Sequence, residues 1–278
     1  MEQKVKRFCS TWNKRNTLSY KTNIEQQNLL SQFLTEHGIN LSGETLGKLY
    51  DFADLVVETK QFGNLISPKD SEKFLSRHIA DSLVPYIYIR RETRDERREN
   101  VPESLSSLLF EPRLVDSAMD VQAPPQHSPL SSFVCSEPAS VLSSKKWADM
   151  GAGAGCPVFP LAIVMPEVEF FAVEPRHMRV EFMNYAKEKL QLSNMTVVGK
   201  RFETSGLSNL DFISCRALST FENDWERAMP GLKKGGTFVT LKSFNNIVHL
   251  ENDPAVHIYK YVLPQEEQSY ALVTRGNE

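Results

Sequence analysis

The chain has 278 residues, of which 41% are hydrophobic, and its formal net charge is −3. This size allows one large domain or one domain with appendages. The near-neutral charge disfavours a protein that binds nucleic acid through bulk electrostatics. No apolar stretch is long enough to span a membrane, and the polar, basic start of the chain lacks the apolar segment of a secretory signal.

The four cysteines are scattered along the chain without C-x-x-C spacing. This pattern disfavours a zinc site or a disulfide framework and suits a reducing compartment. We therefore expect a cytoplasmic protein that binds neither a membrane nor a metal.

The first part of the chain predicts a tail followed by helices. Residues 1–23 carry six lysines or arginines and one glutamate, which predicts a basic, flexible tail; a basic arm that contacts phosphates is the alternative. Residues 24–90 predict a helical region, in which hydrophobic residues recur at helical spacing over 24–62. Ser42 is expected as an N-cap inside this stretch, and Gly63-Asn64 as its stop.

A further helix is expected to begin at Ser67, because Ser-Pro-Lys-Asp has the pattern of an N-cap followed by a first-turn proline and acid. Arg77, His78 and Asp81 lie within one turn of this helix. Since His78 and Asp81 are three residues apart, they share a helix face. A His–Asp side-chain pair that locks the helix against a sheet is the simpler explanation of this cluster, and a functional site is the alternative.

Residues 91–145 differ in composition from the rest of the chain. The mixed-charge run from Arg90 to Arg98 predicts the solvated continuation of a helix. Six prolines and many serines follow between Val101 and Ser144, with only short apolar islands. This composition predicts a loosely ordered insertion.

Residues 146–278 alternate between short apolar runs and helical patterns. The apolar runs predict strands at 147–150, 168–173, 195–198, 211–215, 236–242, 257–262 and 270–274. Alternating strands and helices predict an α/β fold with a mostly parallel sheet covered by helices on both faces. The last two strands are close enough in sequence to form a hairpin, so we expect a seven-stranded, Rossmann-like sheet whose last strand is antiparallel.

A glycine loop follows the first predicted strand and contains Gly151, Gly153 and Gly155. Glycine permits positive φ and close approach of a ligand. A strand, a glycine loop and a helix introduced by Pro157 together predict a nucleotide-like ligand above the strand end. A plain strand-to-helix turn is the alternative.

Glu174 ends the second predicted strand, 19 positions beyond Gly155. An acid at this place grips the ribose hydroxyls of a nucleoside; a helix-start charge favoured by the helix dipole is the alternative. Glycines at a spacing of two differ from the usual dinucleotide pattern and suit a nucleoside that carries an amino acid better than a pyrophosphate. No Gly-Lys-Ser/Thr follows, which excludes a P-loop.

Several motifs occur in a fixed order along the chain: Asn64-Leu65, Arg77-His78-Ile79-Ala80-Asp81-Ser82, the glycine loop with Pro157 and Pro160-Leu161-Ala162-Ile163, Arg201-Phe202-Glu203, Ser214-Cys215-Arg216-Ala217 and Leu241-Lys242. This ordered set resembles the bacterial small-subunit (16S) ribosomal RNA guanine methyltransferases, also called the glucose-inhibited division protein B family. The resemblance covers about 64–90 and 147–275. The chain departs from the family at Val158, where glycine is common, at Ala154, where proline is frequent, and in the insertion.

The resemblance implies that S-adenosylmethionine is the cofactor and that a methyl group is transferred to N(7) of a guanine in 16S ribosomal RNA, in the small ribosomal subunit or its precursor. The positions that it matches to the cofactor site are Gly151, Gly153, Gly155, Cys156, Glu174, Phe202, Glu203 and Arg216. Among these, Arg216 is also the catalytic candidate, and Phe202 and Glu203 would contact adenine largely through main-chain groups. The positions that it matches to RNA binding or substrate positioning are Arg77, His78, Asp81, Arg201 and Lys242. We expect a monomer.

The residues after the fourth predicted strand agree with guanine N(7) as the acceptor. Ser214-Cys215-Arg216-Ala217 lacks the Asn/Asp-Pro-Pro-aromatic motif of exocyclic-amine methyltransferases, and packing explains Cys215 better than a nucleophilic role does. Guanine N(7) offers a lone pair and loses no proton, so a near-attack geometry suffices without a general base. Because the methylated purine is cationic, we expect Arg216 to bind the cofactor carboxylate or an RNA phosphate.

Other functions are compatible with the same features. A small-molecule methyltransferase would use the same fold and the same cofactor cradle. A non-catalytic protein that binds RNA or the ribosome could retain the fold, which Val158 and the insertion permit. An NAD oxidoreductase is the poorest match, because of the glycine spacing.

Overall fold

The computed structural model describes residue 19, residues 23–99 and residues 144–278. Most of the tail expected over 1–23 and most of the insertion expected over 91–145 lie outside these residues. Within the described ranges, no helix combines the length and the apolar character that crossing a membrane requires.

One sheet forms the centre of the described structure. Its strands are β1 (Lys146–Met150), β2 (Glu169–Val173), β3 (Met195–Val198), β4 (Leu210–Arg216), β5 (Leu232–Ser243), β6 (Val256–Val262) and β7 (Ser269–Gly276). The spatial order is β3-β2-β1-β4-β5-β7-β6. Strands β1 to β5 run parallel, and β7 pairs antiparallel with β5 and β6. The predicted α/β, Rossmann-like, seven-stranded fold is therefore confirmed.

The strand order determines where a ligand can bind. The chain progresses outward from β1 in one direction through β2 and β3, and in the other through β4 and β5. Loops after β1 and β4 therefore diverge and leave a crevice at the carboxyl edge of the sheet. Open α/β sheets bind their ligands at this switch point.

Helices cover both faces of the sheet. They are α1 (Ile24–Glu36), α2 (Gly43–Glu58), α3 (Pro68–Ser71), α4 (Ala80–Glu99), α5 (Val158–Val164), α6 (His177–Leu190) and α7 (Phe221–Ala228). Alternate strand residues face opposite sides: Trp147 packs in the core that holds α1, α2, α4, α5 and α6, whereas Ala148 packs in the core on the side of α7.

Several helix ends differ from the sequence-based prediction. Ser42 is the N-cap of α2, as predicted, and its hydroxyl accepts a hydrogen bond from Thr45 N at 3.1 Å. The helix ends at Glu58, before Gly63-Asn64, because Thr59 adopts an extended conformation. Helix α4 continues to Glu99, past the domain boundary expected at 90, and the Arg- and Glu-rich sequence there favours helix.

The helix expected from Ser67 onward is interrupted. Ser67 caps the four-residue α3, and a π-helical segment at Phe74–Ile79 precedes α4. Such wider turns in helices are frequent at functional sites. The expected His78–Asp81 side-chain pair is wrong, because the π-helical turn changes the spacing: both side chains instead contact Arg216 at the end of β4.

A stacked aromatic pair joins the N-terminal helices to the sheet domain. Phe52 of α2 lies parallel to Phe159 of α5, with ring centroids 4.8 Å apart. Gly155 makes this packing possible, because a Cβ atom at this position would lie 2.5 Å from Phe159 Cδ2 and 3.2 Å from Phe52 Cζ. The backbone there has a φ of +98°, which also favours glycine.

We predict opposite effects for two glycine-to-alanine substitutions. Gly155→Ala should lower the free energy of unfolding by about 2 kcal/mol or more, because overpacking and an unfavourable φ add. Gly47→Ala in α2 has open space around its Cβ and should raise the free energy of unfolding by about 0.5–1 kcal/mol. Urea unfolding of both variants measures these changes, and an equal effect of the two would contradict the packing role of Gly155.

Candidate functional site

The glycine loop after β1 folds back onto the end of β2. The backbone N–H groups of Gly151 and Ala152 both donate to Val173 O, at 2.9 and 3.0 Å. Gly151 and Gly153 have φ values of +76° and +57°. A Cβ atom at Gly153 would have only Gly151 O nearby, at 3.8 Å. The loop therefore offers open main chain at its centre, where a ligand can approach closely.

Glu174 lies beside this loop, as the sequence predicts. Its side chain is buried, and its carboxylate accepts hydrogen bonds from Gly153 N at 3.0 Å and from Arg176 N at 2.9 Å. An ionised carboxylate has more acceptor sites than these two bonds use. Glu174 can therefore fix the loop and still accept bonds from a diol.

Asp149 is a site residue that the sequence analysis missed. It belongs to β1, is 1% exposed, and accepts a hydrogen bond from the Ser214 hydroxyl at 2.7 Å through Oδ1. Its other oxygen, Oδ2, is buried without a hydrogen-bond partner. Burial raises the pKa of Asp149 to about 7. An acid two positions before Gly151, inside an otherwise apolar strand, is the signal that could have identified it.

Arg216 is half-buried at the end of β4. Its Nη1 lies 3.3 Å from Asp81 Oδ2, and its Nη2 contacts His78 Nδ1. Asp81 also accepts a hydrogen bond from the Tyr261 hydroxyl. Burial lowers the pKa of Arg216, but Asp81 together with Cys156, Tyr261 and Asp149 outweighs burial and raises it. The guanidinium is therefore charged, and its charge is compensated.

His78 is neutral in this arrangement. Burial first, and then the Arg216 charge, lowers the pKa of His78 to about 3. Because a guanidinium only donates, His78 Nδ1 must accept, which places the ring proton on Nε2. That Nε2 is buried without a hydrogen-bond partner, and Asp70 Oδ1 lies 3.7 Å away, too far for a hydrogen bond.

A cavity of about 500 Å³ opens next to this cluster, on the side of β4 and β5. Its walls include the predicted residues Arg77, His78, Asp81, Arg216 and Lys242. Leu218 lines this cavity and also lies against the glycine loop, because a Cβ atom at Gly151 would lie 3.0 Å from its Cδ1. The predicted substrate-positioning residues, apart from Arg201, are thus brought together around one cavity.

Arg77 and Lys242 are not free cations. Arg77 Nη1 lies 2.9 Å from Asp70 Oδ1. Lys242 Nζ donates to Asp224 Oδ2 at 2.7 Å and to Ser219 O at 2.6 Å, and its side chain is 6% exposed. Lys242 therefore stabilises the turn after β4 through these two bonds. Its position in the sequence did not indicate this role.

Both described cysteines are thiols at neutral pH. Burial raises the pKa of Cys156 to about 11. Burial and the adjacent Asp224 also raise the pKa of Cys215, whose Sγ lies 3.3 Å from Thr240 Oγ1. A protonated, enclosed sulfur is a poor nucleophile, so the geometry supports packing as the role of Cys215.

The structure places Arg201, Phe202 and Glu203 after β3, away from the cavity. The Phe202 ring is buried and fills the space that a Cβ atom at Gly231 would need, 2.7 Å from its Cζ. Glu203 pairs with Arg227 at 3.5 Å, and Arg201 is exposed. Because these side chains are engaged elsewhere, Phe202 and Glu203 can offer a ligand mainly their backbone.

The residues along this edge fit an adenosyl group that carries an amino acid. Glu174 is placed to accept bonds from sugar hydroxyls, and Gly153 leaves open main chain beside it. The unpaired Asp149 Oδ2 supplies an acceptor for an ammonium group. An orphaned buried carboxylate oxygen is costly unless a ligand satisfies it, so we take these features as a cofactor cradle.

Comparisons with known proteins agree with this geometry. The family described as rRNA small subunit methyltransferase G matches residues 132–271. Ribosomal RNA small subunit methyltransferase G from Staphylococcus haemolyticus is 26% identical over 226 residues, which cover 80% of this chain and 73% of the relative. The protein of the same name from Staphylococcus aureus strain JH9 is 26% identical and covers 80% and 74%.

Solved structures also align with part of the chain. Precorrin-6y C5,15-methyltransferase from Geobacter metallireducens aligns with a TM-score of 0.39 and 18% identity, covering 49% of this chain and 83% of its own. An rRNA methylase from Streptococcus thermophilus aligns with a TM-score of 0.39 and 12% identity, covering 50% and 92%.

We predict a pH-dependent stability that Asp149→Asn removes. The folded pKa of about 7 exceeds the ordinary aspartate value of 3.8, so the folded state binds more protons between these two pH values. The free energy of unfolding should therefore fall as pH rises from about 4 to 7, by up to about 4 kcal/mol. Asn keeps an acceptor for Ser214 and should show a flatter profile, with exposed Glu226→Gln as the control. If urea unfolding gives the same dependence of the free energy of unfolding on pH for Asp149→Asn and the wild type, titration of Asp149 is not its cause.

We also predict that Lys242 acts on stability and not on RNA phosphates. Lys242→Met leaves the Asp224 charge buried and should lower the free energy of unfolding by about 3–5 kcal/mol. The slope of log RNA affinity against log salt should stay unchanged, whereas loss of a phosphate contact reduces it by about one. Exposed Lys200→Met is the control for stability. A reduced slope with normal stability would assign Lys242 to RNA binding.

Proposed function

Because the chain belongs to the rRNA small subunit methyltransferase G family, we propose that it methylates the N(7) atom of a specific guanine in 16S ribosomal RNA. S-adenosylmethionine is the cofactor. The observation that carries the proposal is the pairing of an adenosyl-type cradle at Glu174 with a cavity whose lining residue Leu218 also contacts the glycine loop. Methyl transfer needs the donor and the acceptor side by side, with the reacting atoms about 3–3.5 Å apart.

The chain's own groups can hold each part of the cofactor. Glu174 would accept bonds from the ribose hydroxyls, and the unpaired Asp149 Oδ2 would accept from the ammonium group. Main-chain groups at Gly151 and Gly153 would hold the methionine end. Phe202 and Glu203 would contact adenine with their backbones. When bound, S-adenosylmethionine supplies an electrophilic methyl group whose bonding electron pair remains on the sulfur.

The cavity is suited to an acceptor that loses no proton. Guanine N(7) forms the new bond with its own lone pair, and the purine gains a positive charge. The titratable groups beside the cavity match this need, because His78 is neutral and Arg216 is paired with Asp81. Catalysis then rests on orientation of the base and exclusion of water.

Arg216 has hydrogen-bond donors left for a ligand. Two of its donors are engaged by Asp81 and His78, and a guanidinium has further N–H donors. It also lies near Asp149 and Cys156, whose pKa values it influences. We propose that its remaining donors bind the carboxylate of the cofactor.

The in vivo test is to map N(7)-methylguanosine in small-subunit ribosomal RNA from a strain that produces this protein and from a deletion strain that lacks it. We expect one guanine to lose its methyl group in the deletion strain and to regain it when purified protein acts on small subunits or precursors from that strain. Methylation of a small molecule in place of RNA, or RNA binding without cofactor binding in calorimetry, would instead support one of the two alternative functions.

The matched test of the cradle is Glu174→Gln. We expect its affinity for S-adenosylmethionine in calorimetry to fall about 10- to 100-fold, because a charge-assisted hydrogen bond contributes about 1.5–3 kcal/mol. Exposed Glu188→Gln on α6 should bind as the wild type does. Unchanged affinity in a folded Glu174→Gln protein would place the ribose elsewhere.

A further inference from the structure

His78 carries a hydrogen-bond donor that nothing in the described structure uses. His78 lines the cavity beside β4 and β5, and its Nε2 is buried without a hydrogen-bond partner, with Asp70 Oδ1 3.7 Å away. An unsatisfied buried donor costs about 1–3 kcal/mol, and such groups call for an explanation when they occur in native structures. A ligand in the cavity would supply the missing acceptor.

The surrounding contacts determine both the tautomer and the charge of this donor. Arg216 occupies Nδ1 from one side and leaves the proton on Nε2. The charged groups that face the ring are Arg216, Asp70 and Arg77. Burial, Arg216 and Arg77 lower the pKa of His78 and outweigh Asp70, which raises it, so the imidazole is uncharged at neutral pH. The cavity therefore presents a neutral N–H group beside the compensated Arg216–Asp81 pair.

The position of His78 relative to the cradle restricts what it can contact. The ring lies against Arg216 at the end of β4, and Leu218, which follows Arg216 closely in sequence, touches the glycine loop. A base in the cavity must direct its reacting nitrogen toward that loop. In guanine, the neighbour of N7 on the same edge is O6, and both atoms are acceptors.

We propose that His78 is a specificity-determining residue whose Nε2–H donates to O6 of the acceptor guanine and holds N(7) toward the methyl donor. This assignment rests on the proposed function. Adenine presents N7 beside an N6 amino group that donates, so His78 would face a second donor and reject it. The neutral donor also suits the reaction, since a cation at O6 would oppose the positive charge that develops on the purine.

The test compares two bases at the guanine mapped in the deletion strain. Single-turnover methylation is measured on RNA with guanine and on RNA with 2-aminopurine, which keeps N7 but has hydrogen in place of O6. We expect the wild type to be about 10- to 100-fold slower on 2-aminopurine, the range for a donor left unpaired. This comparison needs no variant and is independent of any effect on folding.

Two variants connect the discrimination to His78. His78→Leu should be slow on guanine RNA and should treat the two bases alike. His78→Gln carries an amide N–H near the position of Nε2 and should recover part of the preference for guanine. Because His78 Nδ1 accepts from Arg216, His78→Leu is expected to weaken S-adenosylmethionine binding as well. His78→Gln carries an amide oxygen that can accept from Arg216, so its affinity in calorimetry should stay within about twofold of wild type.

The possible results separate this assignment from the proposed function. A wild type that methylates guanine and 2-aminopurine RNA equally fast, or a His78→Leu protein that keeps the discrimination, overturns the assignment alone. A wild type that does not methylate the guanine RNA overturns the proposed function and the assignment with it. Loss of cofactor affinity in both variants would move His78 to the cradle and also contradict the assignment.

Discussion

A half-buried guanidinium at the end of β4 joins the two parts of the described structure. Arg216 comes from the sheet, whereas Asp81 and His78 come from the N-terminal helices. Removing a charge from water is costly unless it is paired and hydrogen-bonded, so the end of β4 needs the helices to satisfy its arginine. The helical region is therefore part of the site, and a sheet without it would leave Arg216 uncompensated.

Buried polar residues also fix the loops along the carboxyl edge of the sheet. Glu174 fixes the glycine loop through Gly153. Lys242 and Asp224 hold the turn that follows Arg216. Because Glu174, Lys242 and Asp224 lie on strands and helices or directly after them, they position the ligand-contacting loops before the ligand binds. Such preorganisation reduces the entropy that binding must overcome.

Local patterns in the sequence were sufficient to predict much of the fold and to suggest one half of the proposed site. The strands follow from apolar runs, and the loop and Glu174 follow from glycine spacing and strand ends. The proposed cradle for the adenosyl group could be inferred from sequence because Gly151, Gly153 and Glu174 lie within a short stretch of chain. Its missed member, Asp149, looks like any strand residue until its burial and unpaired oxygen are seen.

The other half of the site depends on contacts between distant parts of the chain. The pairing of Lys242 with Asp224 spans β5 and α7, and Arg216 reaches residues more than a hundred positions away. The π-helical turn at Phe74–Ile79 breaks the 3.6-residue periodicity on which the expected His78–Asp81 pair was based. Gly155 was grouped with ligand-binding glycines by spacing, although aromatic packing from α2 explains why it must be glycine.

Charge compensation gives the acceptor cavity a consistent electrostatic character. Arg216 with Asp81, Arg77 with Asp70, and Lys242 with Asp224 form pairs around it. A transferred methyl group leaves the purine cationic, and an unpaired arginine or lysine at the base would raise the barrier through repulsion at low dielectric. Pairing each cation and keeping His78 neutral removes that repulsion while retaining hydrogen-bond donors. The cationic side chains can then shape and anchor the cavity without opposing the charge that the reaction creates.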